Sequence, residues 1–279
     1  MYRSWATAWI TLFVCIPAHA CQWLPWSFDS KTLSQDGSAP WNVEVMTLAP
    51  EGYDANKRYP VVYFLHGRNG NRNVLSDIHS CEALDHHVAS GGEPFLMVAA
   101  SGGNHYWMNG AHNGIRMSDF VAGELIQETD HRFPTRADAD SRLIAGMSMG
   151  GHGAIQVSLT HPGVFGAIAA HSPVFRTEAE SRKNFEDVFG TGCDYLMRDP
   201  VSMLKSDIAL LKTPLYLDIG GNDVFGPNTI LFAEYLKQKG VIGRFILAED
   251  LMGGHDGGYW AFHLPEYMKW YSDFFAKRI

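Results

Sequence analysis

The sequence predicts an α/β fold, a mostly parallel central sheet with helices on both faces. Three observations carry that expectation. Short apolar runs rich in β-branched and aromatic residues recur along the chain, as in Tyr59–Leu65, Pro94–Ala100 and Thr213–Ile219, and such runs suit strands covered on both faces. Stretches with helical spacing separate them, so each strand is followed by a crossover long enough to return the chain in parallel. Finally, Arg142–Gly153 reads as an apolar strand, a Gly-x-Ser-x-Gly turn and a helix in immediate succession.

In chain order, a loose start is expected before Trp41–Leu48, which alternates and reads as a strand. Tyr59–Leu65 is the next strand and stops at His66-Gly67-Arg68-Asn69-Gly70. Val74, Ile78, Cys81 and Leu84 mark a helix. The strand over Pro94–Ala100 leads into a polar, aromatic loop from Ser101 to Arg116. Loops at strand ends carry ligand contacts in α/β proteins, so Tyr106 and Trp107 are candidate substrate contacts. Phe120, Val121, Leu125 and Ile126 line a further helix. After the Arg142 strand and its helix, Val164–Ala170 is a strand. Residues 175–212 turn polar and charged over a length that a simple connection does not need, which predicts a helical insertion or partial lid. Thr213–Ile219 ends at Gly220-Gly221-Asn222-Asp223; Ile230–Leu236 is helical, and Arg244–Ala248 is the last strand. The loop Gly253–Gly258 follows it. Tyr267, Trp270, Tyr271, Phe274 and Phe275 recur at helical spacing and close the chain with a packed helix.

Composition bounds the function. With 279 residues, 46% of them hydrophobic, the chain supports one sizeable core. No linker divides it, so a single α/β domain over residues 21–279 is expected, with the insertion at about 175–212. A net charge of −8 and the absence of any basic run argue against nucleic acid as a partner. Residues 1–20 carry one charge, Arg3, then an apolar core at Trp9–Ile16 and Ala18-His19-Ala20. That is the pattern of a signal peptide, too short for a stable membrane span. It predicts export, either secreted or periplasmic. Lipid anchoring at Cys21 ranks second, because Ala18 stands where such sites usually have Leu. The cleaved chain keeps Cys21, Cys81 and Cys193, an odd number that leaves at least one thiol unpaired. Cys21–Cys81 and Cys81–Cys193 are both open pairings. No CxxC or HExxH spacing is present, so no metal or redox site is expected.

The turn at Ser148 carries the chemistry. Gly146 and Gly150 remove side chains where strand and helix crowd it, and the Met149 amide lies at a helix N-terminus, which favours negative charge. A serine hydroxyl is a weak nucleophile and needs a base, and the base needs a carboxylate to hold its tautomer. On this kind of sheet the order is Ser, then Asp or Glu, then His, each at a strand's carboxyl end. Ser148, Asp223 and His255 meet that order. Asp218 lies within a strand run and reads as a buried structural carboxylate. Asp256 adjoins His255 in sequence, and neighbours rarely aim at one another. His152 faces along the helix and reads as structural, while His66 reads as shaping the following loop. An oxyanion would be received by the amide of Met149 and that of Arg68, with Gly67 the alternative to Arg68. Phe225, Tyr259 and Trp260, with Tyr106 and Trp107, are aromatic rim candidates.

Four motifs then carry a resemblance: Phe64-Leu65-His66-Gly67, Gly146–Gly153, Asp218–Asp223 and Gly253-Gly254-His255-Asp256. Together they resemble the esterase D and feruloyl-esterase branch of the α/β-hydrolases. The resemblance implies the α/β-hydrolase fold and a serine carboxylic-ester hydrolase without a cofactor. It places nucleophile, acid and base on Ser148, Asp223 and His255. The expected substrates are short-acyl or aromatic-acyl esters, small or linked to carbohydrate. An acyltransferase on the same residues, or a binding protein that kept the fold, is the alternative.

Overall fold

The computed structural model describes residues 20–34, 39–241, 245–250 and 253–277, with backbone only over 245–250. The expected signal segment lies almost wholly outside these residues. Eight strands form one sheet: β1 (Gln22–Ser30), β2 (Trp41–Ala49), β3 (Val61–Leu65), β4 (Leu96–Ala100), β5 (Arg142–Met147), β6 (Ala167–His171), β7 (Leu215–Gly220) and β8 (Phe245–Asp250). Their spatial order is β1-β2-β4-β3-β5-β6-β7-β8. β1 pairs antiparallel to β2, and β2 to β4; every other pair is parallel.

The helices follow in chain order: α1 (Val74–Asp77), α2 (Ser80–Ala89), α3 (Met117–Asp119), α4 (Leu125–Arg132), α5 (Met149–Thr160), α6 (Glu178–Asn184), α7 (Glu186–Phe189), α8 (Cys193–Leu196), α9 (Pro200–Ser206), α10 (Gly226–Gln238) and α11 (Gly257–Phe275). A π-helical turn, Phe120–Glu124, joins α3 to α4.

Strand side chains alternate between faces, and both faces are apolar. In β3, Val61, Tyr63 and Leu65 enter one core with Leu125, Ile155 and Phe232. Val62 and Phe64 enter the other, with Leu84 of α2 and Tyr267, Met268 and Tyr271 of α11. The continuous apolar runs read from the sequence are thus strands buried on both sides.

The expected loose start is instead the edge strand β1. Trp26 and Phe28 stack at 5.6 Å and pack on the first core. Pro25 interrupts the β pattern, yet proline is tolerated on an edge strand. The strand is also tied down covalently: Cys21 is bonded to Cys81 of α2, with Cα atoms 5.6 Å apart, and the Cys21 amide donates to Asp85 at 2.9 Å. This selects one of the two open pairings. It leaves Cys193 free and exposed, and engages the sulfur that lipidation would use. Cys21, Cys81 and Asp85 lie close enough to hold a metal, but both sulfurs are committed to each other.

Residues 175–212 hold the four short helices α6–α9. A capping box starts α6: Thr177 and Glu180 each satisfy the other's backbone amide. This insertion packs on α5 through His152, whose ring meets Tyr106, Phe175 and Phe189 at 5.3, 6.1 and 5.5 Å. His152 is fully buried, and burial, reinforced by the nearby charge of Arg176, lowers its pKa to about 3.

At the β5–α5 turn the backbones leave no room. A Cβ on Gly150 would stand 2.0 Å from the Leu65 carbonyl oxygen, and one on Gly146 would stand 2.4 Å from that of Gly150. Gly150→Ala therefore forces β3 and α5 apart. The expected cost is about 3 kcal/mol or loss of folded protein, read by thermal melting. A melting temperature within a degree or two of wild type would contradict this packing.

The buried imidazole of His152 predicts a pH dependence. Its folded pKa lies below the unfolded value near 6.5, so stability is full above that value and falls as pH drops towards about 3. The slope is up to about 1.4 kcal/mol per pH unit. Asp199 of the insertion is raised by burial and acts in the opposite sense, so the contribution of His152 is read as the difference between wild type and a His152 variant over a window from about pH 6.5 to about 5. Urea midpoints across that window should fall in wild type and fall less steeply in His152→Gln. An unchanged slope would show that His152 is not the group responsible.

Candidate active site

Ser148 sits between β5 and α5 with φ 56° and ψ −120°. A non-glycine residue avoids positive φ unless its surroundings impose it. Here the Ser148 amide donates to the His171 carbonyl at 2.9 Å, and the Ser148 carbonyl accepts from the Val174 amide at 3.2 Å. The hydroxyl is thereby turned off the sheet's carboxyl edge into a pocket of about 400 Å³.

The structure brings Ser148, Asp223 and His255 together although 107 residues separate the first from the last. His255 Nε2 lies 2.8 Å from Ser148 Oγ, and His255 Nδ1 lies 2.7 Å from Asp223 Oδ2. With the ring proton on Nδ1 facing the carboxylate, Nε2 is left to accept from the serine hydroxyl. Asp223 Oδ1 accepts from the Phe225 amide at 2.8 Å, which fixes the carboxylate plane. The Asp223 side chain is fully buried and that of His255 is 17% exposed, so of the two only His255 meets solvent. Two turns hold them together: the Asn222 amide donates to the Gly253 carbonyl at 2.9 Å, an approach that a side chain on Gly220 would block.

Asp218, Asp256, His66 and His152 lie elsewhere. Asp218 is buried; it accepts from Tyr259 Oη at 3.0 Å and from Tyr267, and it lies 2.9 Å from His171 Nδ1. His171 Nε2 accepts from Tyr271 at 2.6 Å. Burial raises Tyr267 and Tyr271 well above the usual phenol value, so both remain donors. This cluster joins β6, β7 and α11, the elements that flank Ser148, Asp223 and His255. Asp256 caps α11 by accepting from the Tyr259 amide. His66 is held on both sides, donating from Nδ1 to the Gly67 carbonyl at 2.7 Å and accepting at Nε2 from the Gly102 amide at 3.0 Å. Burial lowers its pKa, consistent with a neutral ring that shapes the loop.

The amide of Met149 opens α5 and has no acceptor within its helix. Gly67 and Arg68 line the pocket with it, and a Cβ on Gly67 would stand 3.2 Å from that of Ser148. No hydrogen bond of the Gly67, Arg68 or Met149 amides is made to a loop or side-chain acceptor among the described residues.

Of the aromatic candidates, Tyr106, Phe225 and Trp260 line the pocket. The rings of Phe225 and Trp260 flank the His255 ring edge-on, at 4.8 and 5.2 Å. Trp107 does not fit the expectation. It is 1% exposed, and its indole N–H donates to the His66 carbonyl at 3.0 Å, so it braces the loop from beneath. Tyr259 is likewise spent on Asp218. Sequence reasoning passed over four apolar wall residues, Val74, Ile78, Met147 and Val174, and two charged ones, Asp77 and Arg176. Val74 and Ile78 were visible only as one face of a helix; nothing local marks Arg176.

Comparison with known proteins places these features in a family. A family model described as a putative esterase matches residues 37–278. An esterase of Mycobacterium tuberculosis is 29% identical over 143 residues, 50% of this chain but 30% of that protein, so the chain spans under a third of that relative. An acetyl esterase of Caldicellulosiruptor saccharolyticus is 25% identical over 230 residues, covering 76% of this chain and 82% of the relative. Among solved structures, a fluorophosphonate-binding serine hydrolase of Staphylococcus aureus aligns with a TM-score of 0.75 at 20% identity, over 91% of this chain and 99% of its own. A ferulic acid esterase aligns at 0.73 and 21% identity, over 91% and 99%. The fold is that of the α/β-hydrolase serine hydrolases, and with the family match running across most of its length, this chain belongs to the Esterase family.

Proposed function

We propose that this protein is an exported serine carboxylic-ester hydrolase acting through Ser148, His255 and Asp223 on short-acyl or aromatic-acyl esters. The observation that carries the reading is the unbroken chain from Ser148 Oγ to His255 Nε2 at 2.8 Å and from His255 Nδ1 to Asp223 Oδ2 at 2.7 Å. In the first half-reaction Ser148 Oγ attacks the ester carbonyl as His255 takes its proton. Asp223 stabilises the imidazolium that forms. Negative charge on the carbonyl oxygen is received by the Met149 amide and by that of Arg68 or Gly67, in a setting where each donor is worth about 2.7–4 kcal/mol. His255 then returns the proton to the alkoxy oxygen, the alcohol leaves, and the acyl group stays on Ser148. Water, deprotonated by His255, attacks the acyl-enzyme; the acid departs and Ser148 regains its proton.

The wall of Val74, Ile78, Met147, Val174, Phe225 and Trp260 supports an apolar or aromatic acyl group. Export is supported by the signal-like segment and by the Cys21–Cys81 bond, since disulfides persist outside the reducing cytosol. Among the described residues, no helix is long and apolar enough to cross a membrane.

An ester panel from acetyl through long acyl to feruloyl tests this reading. Ser148→Ala and His255→Ala should each lower kcat/KM by about three orders of magnitude or more, and Asp223→Asn by a comparable factor. Hydrolysis that survives Ser148→Ala at more than a few per cent would place the nucleophile elsewhere.

A further inference from the structure

We propose that the ester taken by this pocket carries an anionic group, a carboxylate or equivalent small anion, a few bonds from its scissile carbonyl, and that Arg176 receives it with Arg68 alongside. The proposal rests on the ester-hydrolase reading and narrows its substrate class.

Arg176 is a fixed guanidinium. Its Nε–H donates to Tyr106 Oη at 2.6 Å, and its guanidinium carbon stands 5.3 Å from the Phe185 ring centroid and 5.7 Å from that of Phe225. The Phe225 ring is itself 4.8 Å from that of His255, so the cation is held one ring away from the base. Arg68, on the loop beside Ser148, stands 5.6 Å from the same Phe185 ring. Both arginines line the pocket that holds the Ser148 hydroxyl.

Neither guanidinium is held in an ion pair. Among the described residues no carboxylate lies within ion-pair distance of either, and the terminal nitrogens of Arg176 have no acceptor. The nearby acids are committed or apart. Glu180 is held low by the Thr177 amide and hydroxyl, from which it accepts at 2.7 and 2.9 Å, and to a lesser degree by the charge of Arg176, with which it makes no ion pair. Asp223 belongs to His255. Asp77 lines the pocket from α1 and pairs with neither arginine. A chain of net charge −8 thus keeps two cations unpaired at one pocket. A guanidinium whose Nε and ring faces are occupied, and whose terminal N–H groups point to no acceptor, is ready to take a carboxylate through charge-assisted hydrogen bonds.

Two matched ester pairs test this and separate the acyl side from the alcohol side. One is the 4-nitrophenyl monoester of adipic acid against its methyl ester; the other is 3-carboxyphenyl acetate against its methyl ester. With uncatalysed rates subtracted, the anionic-to-neutral ratio of kcat/KM is taken on wild type, Arg176→Gln and Arg176→Lys. At least one pair should favour the anion about tenfold, the step expected of one charge-assisted contact. That ratio should fall towards unity in Arg176→Gln, return in part in Arg176→Lys, and shrink as salt is raised. Both rates come from one preparation, so a poorly folding variant lowers both and leaves the ratio readable. Ratios near unity in both pairs on wild type, or a ratio unmoved by Arg176→Gln, overturn the proposal. Hydrolysis of neither member, or hydrolysis that persists in Ser148→Ala, overturns the ester-hydrolase reading instead.

Discussion

The closeness of three backbones at the carboxyl edge of the sheet is the constraint on which the site depends. β3 ends at Leu65, β5 at Met147, and α5 starts at Met149; a side chain at Gly150 would have to occupy the space of the Leu65 carbonyl. Only glycines allow that approach, and the approach leaves Ser148 with positive φ. Several neighbours share the cost of the strained turn. The His171 carbonyl takes the Ser148 amide, and the Val174 amide takes the Ser148 carbonyl. Strain in the backbone is thus converted into a fixed direction for one hydroxyl.

Beneath the site lies a second polar cluster with no solvent contact. Asp218, His171, Tyr259, Tyr267 and Tyr271 are all buried and hydrogen-bonded to one another. A buried carboxyl group is tolerable only when its oxygens are satisfied, and here an imidazole and two phenols do so. Its effect is to lock the start of α11, which follows His255, onto β7, which leads to Asp223. The turn carrying Asp223 and the loop carrying His255 are therefore referenced to β6, whose His171 carbonyl also takes the Ser148 amide.

Most of this arrangement was legible in the sequence. The turn at Ser148 is a local pattern, and Asp223 and His255 follow successive strands, so their meeting at one edge follows from parallel topology. Asp218 was readable as buried because it falls inside an apolar strand. Other features depend on contacts that no local pattern records. β1 was hidden because Pro25 breaks its alternation and an edge strand needs only one partner. Trp107 resembles a ligand contact in a polar loop, yet its ring packs edge-on against His66 and its indole N–H is taken by the His66 carbonyl. The partner of Cys21 could not be chosen by counting thiols, since docking of β1 beside α2 decides it. Arg176 sits in a polar stretch like many surface cations, and only Tyr106, Phe185 and Phe225 make it a feature of the pocket.

The central claim is that the folded protein presents one activated hydroxyl, that of Ser148, and that His255 activates it. A fluorophosphonate probe followed by peptide mass mapping asks this most directly. The mechanism predicts a single adduct near one equivalent, on the peptide containing Ser148, and its loss in folded His255→Ala. An intact, folded protein that gives no adduct at Ser148, or an equal yield without His255, would contradict it.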